Sequence, residues 1–231
     1  MDNTKVISLG GSLIAPSGVD AAFLKSFTEI VRGYLEEDGK RKLIVVCGGG
    51  SLAREYQRAY REIAREPSDS EQDWIGIQAT WLNGELMRRL FTPYCVEPLV
   101  TDPESVSVFY GRVLVAAGWK PGFSTDFDAV LLAKRFSADT VLNPTDVPRV
   151  FSADPRKDPQ ARPFDRMSWD EFKAVIGGEW KPGRNSPFDP VAARQAAEDR
   201  LKVVVCLGKD LVNFGKILRG GEFVGTTIGP D

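Results

Sequence analysis

Two glycine clusters each directly follow an apolar run. Gly10-Gly11-Ser12 comes after Val6 to Leu9, and Gly48-Gly49-Gly50-Ser51-Leu52-Ala53-Arg54 comes after Leu43 to Cys47. A glycine has no Cβ to keep backbone amides away from an oxyanion, so consecutive glycines at a strand end can form a nest for phosphate. The second cluster also opens a helical pattern. That adds the positive end of a helix dipole and places Arg54 about one turn into the helix. Either cluster alone also reads as a tight turn. Two at equivalent strand ends favour an anion site, because open α/β sheets bind ligands beyond the carboxyl ends of their strands.

The absence of histidine narrows the chemistry further. Ser-His-Asp and Cys-His nucleophiles, histidine general bases and nearly all catalytic zinc sites are removed together. Chemistry done by positioning and charge remains. Phosphoryl transfer is of that kind, resting on glycine-rich backbone, cations and Mg²⁺. Cys47, Cys95 and Cys206 are scattered singly, so neither disulfides nor a zinc site is expected.

These residues need a scaffold, and 231 residues, 42% hydrophobic and 27% charged, supply one globular domain that could be bilobed. Thirty basic and thirty-two acidic residues give a formal charge of −2, so nucleic acid is not an expected partner. The opening Met-Asp-Asn-Thr lacks the layout of a signal peptide and no apolar run approaches membrane-spanning length, so a cytoplasmic protein with no membrane partner is expected.

Strand-like runs at Val6 to Leu9, Leu43 to Cys47, Val113 to Ala116, Thr140 to Leu142 and Leu201 to Leu207 alternate with helical patterns. Val19, Phe23, Phe27, Ile30, Val31 and Tyr34 recur at helical spacing between the first two. Further helices are expected at Leu52 to Ala64, Trp74 to Phe91, Phe127 to Phe136, Ser168 to Ile176, Val191 to Asp199 and Leu211 to Leu218. The terminal GEFVGTTIGPD suggests a closing strand. Such alternation predicts an α/β/α sandwich around a mainly parallel sheet. Proline and glycine concentrate at 119–122, 144–163 and 177–190, which read as working loops.

GGS after the first strand, GGGSLAR after the second and DWIGIQATWLNGELMRRL beyond it resemble the amino acid kinase superfamily, specifically its UMP kinase branch. The resemblance continues through PGFSTDFDAVLLA, NPTDVPRVFSADPRKDP, PFDPVAARQA and GTTI, and so covers essentially the whole chain. It implies the amino acid kinase fold, with an acceptor-nucleotide lobe at about 1–137 and an ATP-side lobe at about 138–231. It also implies Mg²⁺ with ATP as co-substrate, UMP as acceptor, and a homohexamer.

Carried over by position, the resemblance gives Gly48, Gly49 and Arg54 the acceptor's phosphate, a role that suits the two-pronged guanidinium. It gives Asp73 the ribose hydroxyls, although Glu71-Gln72-Asp73 also reads as a helix cap. Thr80 and Asn83 match positions near the acceptor, Asn83 reading more readily as a packing residue. Ser124, Thr125 and Asp126 match the loop closing over the transferred phosphate, and all three are also good N-cap types. Asp126 is assigned to organising cations. Gly10, Gly11, Ser12, Thr145, Asp146, Phe151 and Asp154 match the ATP side; by residue type, Phe151 could equally be core and Asp154-Pro155 an ordinary turn. Asp189 matches a helix-opening position near the β- and γ-phosphates, and is also an N-cap type.

Two positions depart from the resemblance. Many members of the superfamily carry lysine two residues before the paired glycines, where this chain has Ser8. Lys5 is no substitute, since three residues along a strand it lies roughly 10 Å away on the opposite face. Lys120, Lys181 and Arg184 are the nearest candidates, and Lys181 is the one assigned a catalytic role. Pro148-Arg149 replaces a common Asp-Gly, which changes the hairpin or makes Arg149 a phosphate contact. The expected activity is ATP-dependent phosphorylation of UMP. A nucleotide-binding or storage protein on the same fold, and a kinase for another small phosphate or carboxylate, are the alternatives. The lack of histidine disfavours one sister activity, isopentenyl phosphate kinase, which uses that residue to hold its acceptor.

Overall fold

Alternation along the first strand decides the layering. In the computed structural model, which describes residues 3–155, 157–176 and 186–230, Val6 of β1 (Asn3–Leu9) belongs to one buried cluster and Ile7 and Leu9 to another. The same period-two split recurs in β2 (Arg41–Cys47), β3 (Val113–Ala117) and β6 (Lys202–Leu207). A sheet buried on both faces reads as continuous apolar runs, which explains why the strands are so visible in the sequence. α2 (Ala21–Glu36), α4 (Asp69–Leu90) and α8 (Leu211–Arg219) cover one face through Phe27, Met87 and Phe214. α5 (Thr125–Arg135), α6 (Trp169–Val175) and α7 (Pro190–Glu198) cover the other through Val130, Phe172 and Ala193. The expected sandwich is present.

The seven strands run in the order β3-β2-β1-β4-β6-β7-β5. β4 (Thr140–Thr145) extends the expected run by three residues. β7 (Thr226–Ile228) is the expected closing strand, antiparallel to β6 and parallel to β5 (Arg166–Met167), a short strand that was not expected. β1 pairs in parallel with β2 on one side and β4 on the other. Strands from the first part of the chain therefore lie to one side of the β1/β4 junction and later strands to the other. Strand order reverses there, and at such a point a crevice opens at the carboxyl ends of the strands.

α1 (Gly11–Ile14) and α3 (Gly50–Ile63) start at the two glycine turns. α4 begins five residues before the expected Trp74, because the Ser68 hydroxyl accepts the Glu71 amide and caps it. Asp73 is thus not the cap of this helix. All three cysteines are free and buried. No described helix is long and apolar enough to cross a membrane.

Candidate functional site

The two glycine turns meet backbone to backbone. A Cβ built on Gly11 would lie 1.9 Å from the Gly50 amide nitrogen, and one on Gly48 would lie 2.4 Å from the Gly11 nitrogen. Gly50 also has a φ of +69°, a conformation that side chains other than glycine adopt at a cost. Gly11, Gly48 and Gly50 are therefore required sterically, and the two turns form one ledge at the ends of β1 and β2. Gly11 and Ser12 open α1, Gly50 and Ser51 open α3, and the first amides of a helix have no intrahelical partner. Ser51 gives its amide to the Ala15 carbonyl at 2.8 Å, locking the turns together.

α4 holds this ledge and the neighbouring loop. Asn83 Nδ2 donates to the carbonyls of Gly48 at 2.7 Å and Gly49 at 3.2 Å, so it fixes the turn, as a packing residue would. Seven residues separate Asp73 from Thr80, which puts both on one helix face two turns apart. The Thr80 hydroxyl donates to the Ile77 carbonyl and accepts the Gly118 amide at 2.8 Å, while Trp81 Nε1 donates to the Gly118 carbonyl at 2.7 Å. Asp73 Oδ2 accepts the Gly122 amide at 2.9 Å. Residues 118–122 are thus pinned at both ends. Arg54 is exposed beside the ledge, its Nη2 donating to the Pro16 carbonyl at 3.3 Å.

Ser124, at the end of this loop, caps α5 by accepting the Phe127 amide, and Thr125 is the first helical residue. Asp126 follows, and its carboxylate joins the two sides of the crevice. Oδ1 accepts the Ser8 hydroxyl at 2.6 Å, and Oδ2 accepts the Asp189 backbone amide at 3.0 Å. Ser8, where a lysine was expected from the resemblance, is buried and gives this carboxylate a neutral donor. Burial pushes the Asp126 carboxyl up to about 6. The hydrogen bonds from Ser8 and Asp189 pull the other way, and the Asp189 charge adds to the rise. Asp189 caps α7 by accepting the Ala192 amide at 2.9 Å, with Pro190 next in the helix.

A cavity of about 310 Å³ opens on the β4 side, within the usual range for small-molecule sites. Asp146, Phe151 and Asp154 line it, together with Arg149, Val150 and Ile176. Phe151 is a wall of this cavity and not core, and it bridges to Pro163. Thr145 ends β4, its hydroxyl donating to Asp146 Oδ1 at 3.2 Å. Arg149 pairs with Asp165 at 2.7 Å. Lys181 and Arg184 lie outside the described residues. Lys120 is exposed, its ammonium 3.5 Å above the Trp119 ring.

One buried group went unnoticed in the sequence. Asp128, one residue beyond Phe127 in α5, is fully buried and accepts the Trp119 amide at 3.2 Å, while its Oδ1 has no partner among the described residues. Its carboxyl is pushed up to about 7, mainly by burial. Inward helical phase was the available signal, since Ala129 and Leu132 beside it are buried. An aspartate in a first turn, however, also suits the helix dipole at the surface.

The family model for the amino acid kinase family matches residues 3–206. The chain belongs to that family. Among its relatives, the uridylate kinase of Methanospirillum hungatei is 33% identical over 97% of this chain and 94% of its own length. The Archaeoglobus fulgidus uridylate kinase is 35% identical over 96% and 98% respectively. The crystal structure of uridylate kinase from Archaeoglobus fulgidus superposes with a TM-score of 0.82 at 34% identity, covering 97% of this chain and 99% of that one. The mostly parallel sheet with helices on both faces is accordingly the amino acid kinase fold. In this member of the family, the β1/β4 crevice brings together the glycine ledge, the loop pinned by α4, Asp126 and the end of β4.

Proposed function

We propose that this amino acid kinase transfers the γ-phosphoryl group of ATP to UMP. A phosphate oxygen of UMP attacks the γ-phosphorus in line, the bond from that phosphorus to the β,γ-bridging oxygen breaks, and UDP and ADP leave. The observation that carries the reading is the junction at Asp126. One carboxylate is held from the acceptor side by Ser8 of β1, two residues before the start of the glycine ledge, and from the donor side by the amide of Asp189. The nearly full-length kinship to uridylate kinases supports UMP as the acceptor. A phosphate acceptor is already ionised, so the reaction needs no general base and the lack of histidine costs nothing.

In this reading residues 1–137 form the acceptor lobe and 138–231 the ATP lobe. Gly48, Gly49, Arg54, Ser124 and Thr125 hold the phosphate of UMP, and Asp73 takes its ribose. Thr80 acts by holding Gly118 in place. Gly10, Gly11 and Ser12 face the transferring phosphate, while Thr145, Asp146, Phe151 and Asp154 take the ATP nucleoside. Lys181 is the proposed transition-state cation. The Asp126 side chain suits the organising of Mg²⁺, because its oxygens meet neutral donors and burial raises its pKa, so a nearby cation would favour its charged form; Asp189, the cap of α7, opens a helix beside the β- and γ-phosphates. Mg²⁺ would offset the charge on the β- and γ-phosphates. We also place the enzyme in the cytoplasm as a homo-oligomer, hexameric by resemblance, which sedimentation would test.

The deciding experiment follows ADP formation with ATP and Mg²⁺ over a panel of UMP, CMP, AMP, isopentenyl phosphate and a small carboxylate. UMP should give the highest kcat/KM. Preference for a non-nucleotide acceptor, or ATP binding without turnover of any acceptor, would refute the reading.

A further inference from the structure

Between the end of β3 and the Ser124 cap of α5, side chains among the described residues hold four backbone groups of residues 118–122. α4 supplies three of the contacts: Thr80 accepts the Gly118 amide, Trp81 donates to the Gly118 carbonyl, and Asp73 accepts the Gly122 amide. The fourth comes from α5 itself, where Asp128 Oδ2 accepts the Trp119 amide at 3.2 Å. Asp128 stands one turn beyond Ser124, so this contact ties the loop to the helix whose start carries Ser124 and Thr125. The rings of Trp119, Phe123 and Phe127 stack in succession, with centroids 5.7 and 4.5 Å apart, and Lys120 Nζ lies 3.5 Å above the Trp119 ring. Trp119 is therefore fixed by its ring and its amide together.

A carboxylate is a costly group for this grip. Asp128 is fully buried, its Oδ1 has no partner among the described residues, and the charges of Asp126 and Asp102 oppose its own while Lys120 favours it. A neutral side chain with one acceptor oxygen would close the loop at less expense to stability. What the charge adds is strength, since a hydrogen bond to an ionised acceptor is roughly twice as strong as a neutral one. Stability given up at one position for a firmer hold on a loop is the trade expected where the loop works.

We propose that Asp128 is a positioning residue of the acceptor side: by gripping the Trp119 amide it holds the 118–122 loop, and with it Ser124 and Thr125, in place before UMP arrives. This rests on the kinase reading above, in which those two residues hold the phosphate of UMP. A site ordered in advance spends less of its contact energy on ordering, so the effect belongs to the acceptor's affinity and not to that of ATP.

The test compares wild type, Asp128→Asn and Asp128→Leu as full chains at pH 8 with Mg²⁺, varying UMP and ATP in turn. In Asp128→Asn a neutral carbonyl still accepts the Trp119 amide; in Asp128→Leu nothing does. The KM for UMP should rise roughly two- to threefold in the first and roughly tenfold in the second, while the KM for ATP stays within about twofold in both. Because Asp128→Asn removes a buried charge, it should also unfold at higher urea than wild type at this pH. Stability and acceptor affinity then move in opposite directions, which a merely structural role would not produce. An unmoved KM for UMP in Asp128→Leu, or equal rises for both substrates, would overturn the proposal. Should Asp128→Leu fail to fold, Asp128→Asn and amide exchange on wild type decide: the Trp119 amide should be protected in the ligand-free enzyme, and exchange at the rate of an open loop would overturn the proposal. If UDP forms and the KM for UMP does not respond, this inference alone falls. If wild type forms no UDP, the kinase reading falls and the inference with it.

Discussion

Replacing Asp128 by asparagine should make the protein more stable at alkaline pH and no more stable at acid pH. The Asp128 carboxyl is fully buried and pushed up to about 7 from an ordinary 3.8. Burial is the main cause, opposed by the Trp119 amide; the charges of Asp126 and Asp102 add to the rise, and Lys120 reduces it. A raised carboxyl pKa means that the folded chain binds the proton more tightly than the unfolded chain. Stability contributed by this site therefore falls as pH rises from about 4 to about 7, then levels off. At about 1.4 kcal/mol per pH unit, the shift amounts to roughly 4 kcal/mol of lost stability above pH 7. An asparagine carbonyl can still accept the Trp119 amide. Its NH₂ enters a site where Oδ1 has no partner, at a cost of about 1–3 kcal/mol. The balance at pH 8 is a gain of about 1–3 kcal/mol, against roughly zero or a small loss at pH 5, where only about 1.6 kcal/mol of the site's penalty has set in. Urea unfolding of both proteins at the two pH values measures the difference, and contributions from Asp126 largely cancel in it. If the variant is destabilised equally at both pH values, the carboxylate is already compensated in the fold and the account of Asp128 is wrong.

Other substitutions test the acceptor side and the crevice. Arg54→Ala should raise the KM for UMP ten- to a hundredfold, since a hydrogen bond to a charged group contributes about 1.5–3 kcal/mol; unchanged UMP kinetics would leave Arg54 as a surface residue tied to Pro16. Ser8→Ala removes a donor that holds the Asp126 pKa down. If ionised Asp126 is the working form, kcat/KM for ATP, which reports the free enzyme, falls as pH drops through about 6 in wild type. In the variant the fall should come about one to two pH units higher, and an unmoved kcat/KM profile from pH 5 to 9 would separate Asp126 from catalysis. Gly11→Ala should prevent accumulation of folded protein or abolish activity, because its Cβ would overlap the Gly50 backbone nitrogen at 1.9 Å; a soluble variant with normal kcat would contradict the contact between the turns.

Each part of the site left a different trace in the sequence. The glycine turns could be read because two separate needs, close backbone approach and a positive φ at Gly50, both demand glycine, and composition records that demand directly. The layers could be read because a doubly covered parallel sheet leaves continuous apolar runs. Asp73 could not be resolved into cap or ligand position, since the choice was made elsewhere. Ser68 supplies a better cap, and the Gly122 amide supplies Asp73 with another partner. Local sequence states what a side chain can do, while its neighbours decide which of those things it does.

Ser8 carries this point into the mechanism. Read against a family in which lysine is common at that position, serine looked like a lost cation whose substitute had to be found along the chain. In the fold it is a donor to Asp126, and the same carboxylate accepts the amide of Asp189. A lysine there would place a full charge against Asp126 and favour its ionised form at any ordinary pH. Serine leaves the carboxyl near 6, poised to respond to whatever cation arrives. The loss of the lysine thus leaves a carboxylate whose charge depends on what is bound beside it, while the cationic role stays with Lys181 as proposed. Adding the nucleotide with Mg²⁺ should therefore lower the Asp126 pKa in a carboxyl-resolved NMR titration, and an unchanged value would mean that no cation binds beside Asp126.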